Sequence, residues 1–264
     1  MSGASMFSLE GKRALVTGGG RGLGRSIAVG LARAGAEVWV ASRKLENCHG
    51  CVSEIEAEGG RAHAVRADVG RSEDVETLAD TVLSAGPLHV LVNNAAMVWA
   101  APTLEYPDEA WDRVFAVNVR GLWQLTRRVA RSMADTGGGS IIQVGSVSAW
   151  LGAPDEEQPV VAYNASKGAV VALTRDLAVK LAPLAIRVNC IAPGPFLTDM
   201  MSHISHDTEK LARYEADIPL RRAGRAEDIQ GVAVFLASEA SAFVTGATLV
   251  VDGGVSCVYP GKPE

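Results

Sequence analysis

The 264-residue chain carries a formal net charge of −5, with 48% apolar and 21% charged residues and four cysteines. The acidic balance argues against a nucleic-acid or anionic-membrane surface, which needs a basic excess, and no apolar run reaches the length that spans a bilayer. Four cysteines make no disulfide scaffold, and the N-terminal MSGASMFSLEGKR shows no charged region followed by an apolar stretch, so a cytoplasmic protein is expected.

Seven short runs read as strands: RALVT (13–17), EVWVA (37–41), AHAVRA (62–67), HVLVN (89–93), SIIQV (140–144), IRVNCIA (186–192) and ATLVVD (247–252). Most are nearly continuous in apolar and β-branched residues, as strands covered on both faces are. Helix-length segments with glycine or proline at the joints separate most of them. Such alternation predicts an α/β fold with a doubly wound parallel sheet. No linker, repeat or low-complexity tract interrupts it, so one domain over residues 1–264 is expected.

The first strand runs into LVTGGGRGLGRSIA. Gly18, Gly22 and Gly24 allow a tight turn, close backbone approach and close packing of the helix that follows, whose free N–H groups then suit a nucleotide pyrophosphate. Further on, CHGC (48–51) has Cys-x-x-Cys spacing. A single such pair is weak for a metal, so the start of a surface helix is expected there and no metal centre. The segment 107–134 puts Trp111, Phe115, Leu122, Leu125 and Val129 on one helical face, and Val119 and Trp123 on another. Residues 160–181 carry almost no charge in their first turns. A sheet covers one face of each helix, so the apolar surplus predicts a subunit interface. Asn118 falls mid-helix among apolar residues, a costly place for an amide without partners.

Within VVAYNASKGAV (160–170), Tyr163 and Lys167 share a helix face. A phenol is a poor base near neutral pH, and an ammonium one turn away favours its ionised form, the more so among apolar residues. Taken alone, the pair is either a proton-transfer couple or a packed tyrosine beside a snorkelling lysine.

The glycine turn, NNAA (93–96), NVRG (118–121), GSVS (145–148), YNASK (163–167) and PGPFLTDM (193–200) follow one another in a single order. Together they resemble the short-chain dehydrogenase/reductase superfamily, from about residue 9 to about residue 254. The resemblance implies a Rossmann-like sheet of seven parallel strands, a nicotinamide cofactor, and interconversion of a carbonyl compound and an alcohol. It implies Tyr163 as general acid/base, Lys167 beside it and on the nicotinamide ribose, and Ser146 on the substrate oxygen, with Ser148 as a substitute. Asn118 would hold a water that relays protons to Lys167. Thr17, Gly18, Gly20, Arg21, Gly22, Leu23 and Gly24 would form the phosphate turn. Asp68 and Val69 would face the adenine, and Asn93, Asn94 and Ala95 would line the cofactor. Pro193, Gly194, Phe196 and Thr198 would close on the nicotinamide end. Residues about 195–220 would form a lid, where His203 and His206 are expected to face solvent. A homotetramer, or at least a dimer, is expected.

NAD-specific sites place a carboxylate at the end of the second strand. Here Ser42 takes that place, with Arg43 next and Arg21 in the glycine turn. Two guanidinium groups suit a 2′-phosphate, so NADP(H) is expected, with NAD(H) as the alternative. Trp99, Trp150 and Phe196 are candidates to shape a substrate pocket, or are core packing. The stretch before Tyr163 is longer than in many members and carries PDEEQP (154–159), either a solvated acidic loop or a substrate contact. The substrate could be a small polyol, a sugar acid, a secondary alcohol, or a xenobiotic or steroid ketone. A 3-oxoacyl-carrier-protein is weakened because Gly137 and Leu184 stand where carrier-binding arginines often do. A cofactor-binding regulator without turnover is disfavoured because Asn118, Ser146, Tyr163 and Lys167 are all kept.

Overall fold

The computed structural model describes residues 6–197 and 207–258. Its strands are β1 (Arg13–Thr17), β2 (Glu37–Ser42), β3 (Arg61–Arg66), β4 (Val90–Asn93), β5 (Gly139–Val144), β6 (Ile186–Pro193) and β7 (Thr248–Val251). They form one parallel sheet in the order β3-β2-β1-β4-β5-β6-β7. All seven expected strands are present, with ends shifted by a residue or so. The order reverses between β1 and β4, so the connections there diverge and leave a crevice beyond the carboxyl ends.

The helices are α1 (Gly22–Arg33), α2 (Leu45–Ala57), α3 (Ser72–Ser84), α4 (Asp108–Phe115), α5 (Leu122–Asp135), α6 (Val161–Leu181), α7 (Thr208–Ala216) and α8 (Ala226–Ala237). Alternate residues of each strand feed opposite faces. Val16, Val40 and Val92 pack with Ile27, Leu31 and Ile229, on the side of α1, α2 and α8. Leu15, Leu91 and Ile141 pack with Leu78, Leu125 and Met133, on the side of α3, α5 and α6. The edge strands β3 and β7 are covered less completely, and partly exposed residues replace the continuous burial of β1 and β4.

Two expectations are refined. CHGC does lie in the first turns of a helix with an exposed face, α2, but Cys48 and Cys51 are on its inner face and fully buried. Burial pushes both thiols up, that of Cys51 to about 12. The helix expected over 107–134 is not uniform either: a π-helical turn (Ala116–Gly121) joins α4 to α5. Such wide turns cluster at functional sites, and this one carries Asn118.

Candidate active site

A cleft of about 930 Å³ opens at the carboxyl ends of the strands. One end is built by the β1–α1 turn. Thr17 does not line it; its buried hydroxyl donates to Val92 O (3.3 Å) and accepts from the N–H groups of Asn94 and Ala95 (3.1 Å each). The Asn94 amide returns two bonds, to Thr17 O (2.9 Å) and Gly18 O (3.2 Å). These bonds tie the ends of β1 and β4 together. Gly18 and Gly22 have φ of +64° and +53°, conformations costly for residues with a Cβ. A Cβ on Gly24 would collide with Gly18 O and the Asn94 amide. Gly20 is not among the residues lining the cleft; a Cβ there would strike Asn47 of α2, which does line it. At the N-terminus of α1 no side chain caps the helix, so the N–H groups beside Gly22 and Leu23 keep their donors for a ligand.

Arg21, Ser42 and Arg43 meet at the next corner, joined by Lys44, which the sequence reading missed. The Ser42 hydroxyl donates to Lys44 O (2.8 Å), curling the chain after β2 so that consecutive cations flank the cleft. Arg21, Arg43 and Lys44 have no carboxylate partner among the described residues. Asp68 and Val69 line the wall beyond β3. Asp68 accepts from Gly70 N (3.0 Å), which fixes its carboxylate. Asn94 and Ala95 line the cleft, but Asn93 does not: it is buried, and its amide donates to Thr126 Oγ1 (2.9 Å). Pseudo-alternation along the strand end explains the split, since successive side chains point to opposite faces.

Ser146, Tyr163 and Lys167 line the other end. Ser146 follows β5 and is buried; its Oγ accepts from Ser148 N (3.1 Å). Lys167 is only 3% exposed, and its Nζ donates to Val144 O (2.7 Å), 5.5 Å from the Tyr163 ring centre. One strand end therefore supplies both the serine and the carbonyl that holds the ammonium. Asn118 lies behind this wall. It accepts from Met97 N (2.7 Å) and donates to Met97 O (2.9 Å) and Ser166 Oγ (2.9 Å). Ser166 in turn donates to Tyr163 O (2.7 Å). The mid-helix amide is thus satisfied by distant chain and couples the loop after β4 to the first turns of α6.

Pro193, Gly194 and Phe196 line the cleft from the end of β6, and Tyr214 enters from α7. Thr198, His203 and His206, with part of the expected lid, lie outside the described residues. Trp99 and Trp150 are 40% and 45% exposed and do not line the cleft, a correction to the sequence reading. Gln158 and Val160 do line it. Lys44 had a signal in its position beside Arg43, and Gln158 in the PDEEQP stretch weighed as a substrate contact; Tyr214 had none, because only the packed chain brings it to the cleft.

A family model described as enoyl-(acyl carrier protein) reductase matches residues 18–256. Gluconate 5-dehydrogenase of Gluconobacter oxydans (strain 621H) is 38% identical over 257 residues, 97% of this chain and 99% of that protein. This chain belongs to the short-chain dehydrogenase/reductase superfamily. The superfamily accounts for the joint presence of the glycine turn, the serine, and the tyrosine–lysine pair on one cleft. A second relative, the rhamnolipids biosynthesis 3-oxoacyl-[acyl-carrier-protein] reductase of Pseudomonas aeruginosa, is 39% identical over 94% of this chain and 97% of its own length. Among solved structures, the gluconate 5-dehydrogenase of Burkholderia cenocepacia J2315 in complex with NADP and tartrate superposes with a TM-score of 0.89. It is 35% identical, with 97% of this chain and 99% of that one covered. The chain is accordingly an oxidoreductase of the short-chain type, acting between alcohol and carbonyl.

Proposed function

We propose that the enzyme is an NADP(H)-dependent dehydrogenase/reductase of one domain whose substrate is a small polyol or sugar-derived alcohol, with Tyr163 as its general acid/base. The observation that carries this reading is the buried Lys167 ammonium, fixed by Val144 O beside the ring of a cleft-lining tyrosine. The cleft fits a dinucleotide: uncapped α1 N–H groups and glycines without room for a Cβ suit a pyrophosphate. Arg21, Arg43 and Lys44 suit a 2′-phosphate. The NADP named in the Burkholderia complex supports the same choice. NAD(H) is the alternative cofactor.

When bound, the nicotinamide supplies or accepts the hydride. Ser146 holds the substrate oxygen, and the Tyr163 hydroxyl gives a proton to it on reduction or takes one on oxidation. Lys167, held by Val144 O, sets its charge beside the Tyr163 ring. Asn118 acts as a positioning residue, through Ser166 and Met97. The gluconate 5-dehydrogenase relatives favour a polyol or sugar acid. The rhamnolipid relative favours a carrier-bound 3-oxoacyl ester, against which stand Gly137 and Leu184 at the expected carrier-binding positions. A lid over about 195–220, a cytoplasmic location and a homotetramer complete the proposal; the exposed Trp111 and Trp123 support the last. No described helix is long and apolar enough to cross a membrane.

The test follows nicotinamide absorbance with each cofactor and a panel of ketones, polyols and sugar acids. Cofactor-dependent turnover that prefers NADP(H) is expected. Binding of cofactor without turnover of any compound would favour a regulator.

A further inference from the structure

We infer that Ser148 and Gln158 form a second polar contact that selects a neutral hydroxyl adjacent to the reacting carbon, so that the preferred substrates are 1,2-diols and 2-hydroxyketones without a neighbouring carboxylate. This rests on the proposed placement of the reacting oxygen between Ser146 and Tyr163. Ser148 lies two residues beyond Ser146, and its backbone N–H donates to Ser146 Oγ (3.1 Å). Gln158 Nε2 donates to Ser148 Oγ (3.3 Å), and both residues line the cleft.

The bonding inventory sets the selectivity. A serine hydroxyl has one hydrogen, and a glutamine amide has an oxygen acceptor. Among the described residues, the Ser148 hydrogen and Gln158 Oε1 take no partner. The pair therefore presents a donor and an acceptor side by side, with a second amide hydrogen also free, and does so with the amide turned either way. A hydroxyl both donates and accepts, so it satisfies both. A carboxylate accepts only, so it can take the free donors but leaves the acceptor of the pair unsatisfied.

The surrounding charge acts in the same direction. Exposed Asp155, Glu156 and Glu157 immediately precede Gln158. Lys167 is engaged by Val144 O, and Arg21, Arg43 and Lys44 sit at the phosphate corner. No further lysine or arginine lines the cleft among the described residues.

The loop that carries Gln158 is also anchored on both sides. Asp155 accepts from Thr103 N (2.8 Å) and Thr103 Oγ1 (2.7 Å), and Ala101 N donates to Pro159 O (2.9 Å). Gln158 is thereby held in place before substrate arrives, which lowers the ordering cost of binding. The chemistry is otherwise unchanged: the carbinol C–H leaves as hydride to the oxidised nicotinamide, the O–H proton passes to Tyr163, and the neighbouring hydroxyl stays intact.

The full-length enzyme with NADP⁺ tests this through kcat/KM for neutral 1,2-diols, mono-alcohols and 2-hydroxy acids of matched chain length. One well-made hydrogen bond contributes about 1 kcal/mol, so a diol preference of about fivefold to tenfold over the mono-alcohol is expected, and a larger one over the acid. Gln158→Leu and, separately, Ser148→Ala should bring the diol to mono-alcohol ratio close to unity, with NADPH binding and thermal melting showing that the variants fold. Equal efficiency for diol and mono-alcohol in the wild type, a preference for the acid, or a ratio unmoved in both variants overturns the inference while leaving the oxidoreductase reading intact. Absence of turnover with every alcohol and ketone overturns both.

Discussion

Tyr163→Phe removes one hydroxyl and leaves the ring beside Lys167. General acid–base catalysis contributes about 10²–10⁴-fold, so turnover should fall by at least about 100-fold while NADPH affinity stays nearly unchanged. Steady-state rates and fluorescence titration of the cofactor measure the two effects separately. A variant that keeps a tenth of wild-type activity would rule out the proton-transfer role. Lys167→Ala differs, because the ammonium has two proposed tasks; both turnover and cofactor affinity should drop. At the phosphate corner, each charge-assisted hydrogen bond contributes about 1.5–3 kcal/mol. Arg43→Ala should therefore lower kcat/KM for NADPH about 10–150-fold and affect NADH far less. Ser42→Asp combined with Arg43→Ala should reverse the preference. The neighbouring Lys44 gives this prediction an edge: if the double variant still favours NADPH, Lys44 and Arg21 hold the phosphate without Arg43.

Two elements carry predictions of their own. In the π-helical turn, a Cβ added to Gly121 would strike the backbone carbonyl of Val69, which lines the cofactor cleft. Overpacking of this kind costs about 1–3 kcal/mol. Gly121→Ala should lower the urea midpoint accordingly and also weaken NADPH binding, because relief requires Val69 to move. Stability equal to wild type would show that the turn can absorb the methyl. At the opposite end of the sheet, His89 Nδ1 accepts from Arg13 N–H (3.0 Å), with the cations of Lys12 and Arg13 nearby. Burial first, then those two charges, lower the His89 pKa from its ordinary 6.5. In the window below 6.5 the unfolded chain binds the extra proton more readily than the folded one. The contribution is therefore complete above that value and is lost as pH falls through the folded-state pKa. The melting temperature should decline on acidification, and His89→Gln, which keeps an acceptor but cannot titrate, should show a shallower decline. Parallel pH profiles of melting would contradict this.

At the scale of the molecule, the apolar surplus on α4 and α5 remains after folding. Trp111 and Trp123 are each 38% exposed, and Trp111 stacks on Phe115 at 5.0 Å between ring centres. Closed symmetric assemblies bury such faces. Sedimentation at micromolar concentration should give a tetramer, or at least a dimer, and Trp111→Arg with Trp123→Arg should yield a smaller species. A stable wild-type monomer would refute the assembly.

The sequence by itself determined the sheet, the glycine turn and the tyrosine–lysine pair. These depend on short-range rules: β-branched runs for buried strands, glycine where a Cβ has no room, and four-residue spacing on a helix. It also led from the order of its motifs to the superfamily. Only the tertiary structure decided which of the flagged side chains face the cleft. Asn93 and Asn94 are adjacent and both polar, yet one enters the core and the other the cleft, according to the pleat. The partners of Asn118 come from Met97 and Ser166, both distant in sequence, and the π turn that carries it has no local signature. Trp99 and Trp150 stand within two residues of the cleft-lining Val98 and Ser148 yet do not line the cleft themselves, whereas Gln158 and Tyr214 reach it by way of loop anchoring and the packing of α7. Local pattern sets the period of an element, but the direction of a given side chain at the end of that element is set by what the rest of the fold packs against it.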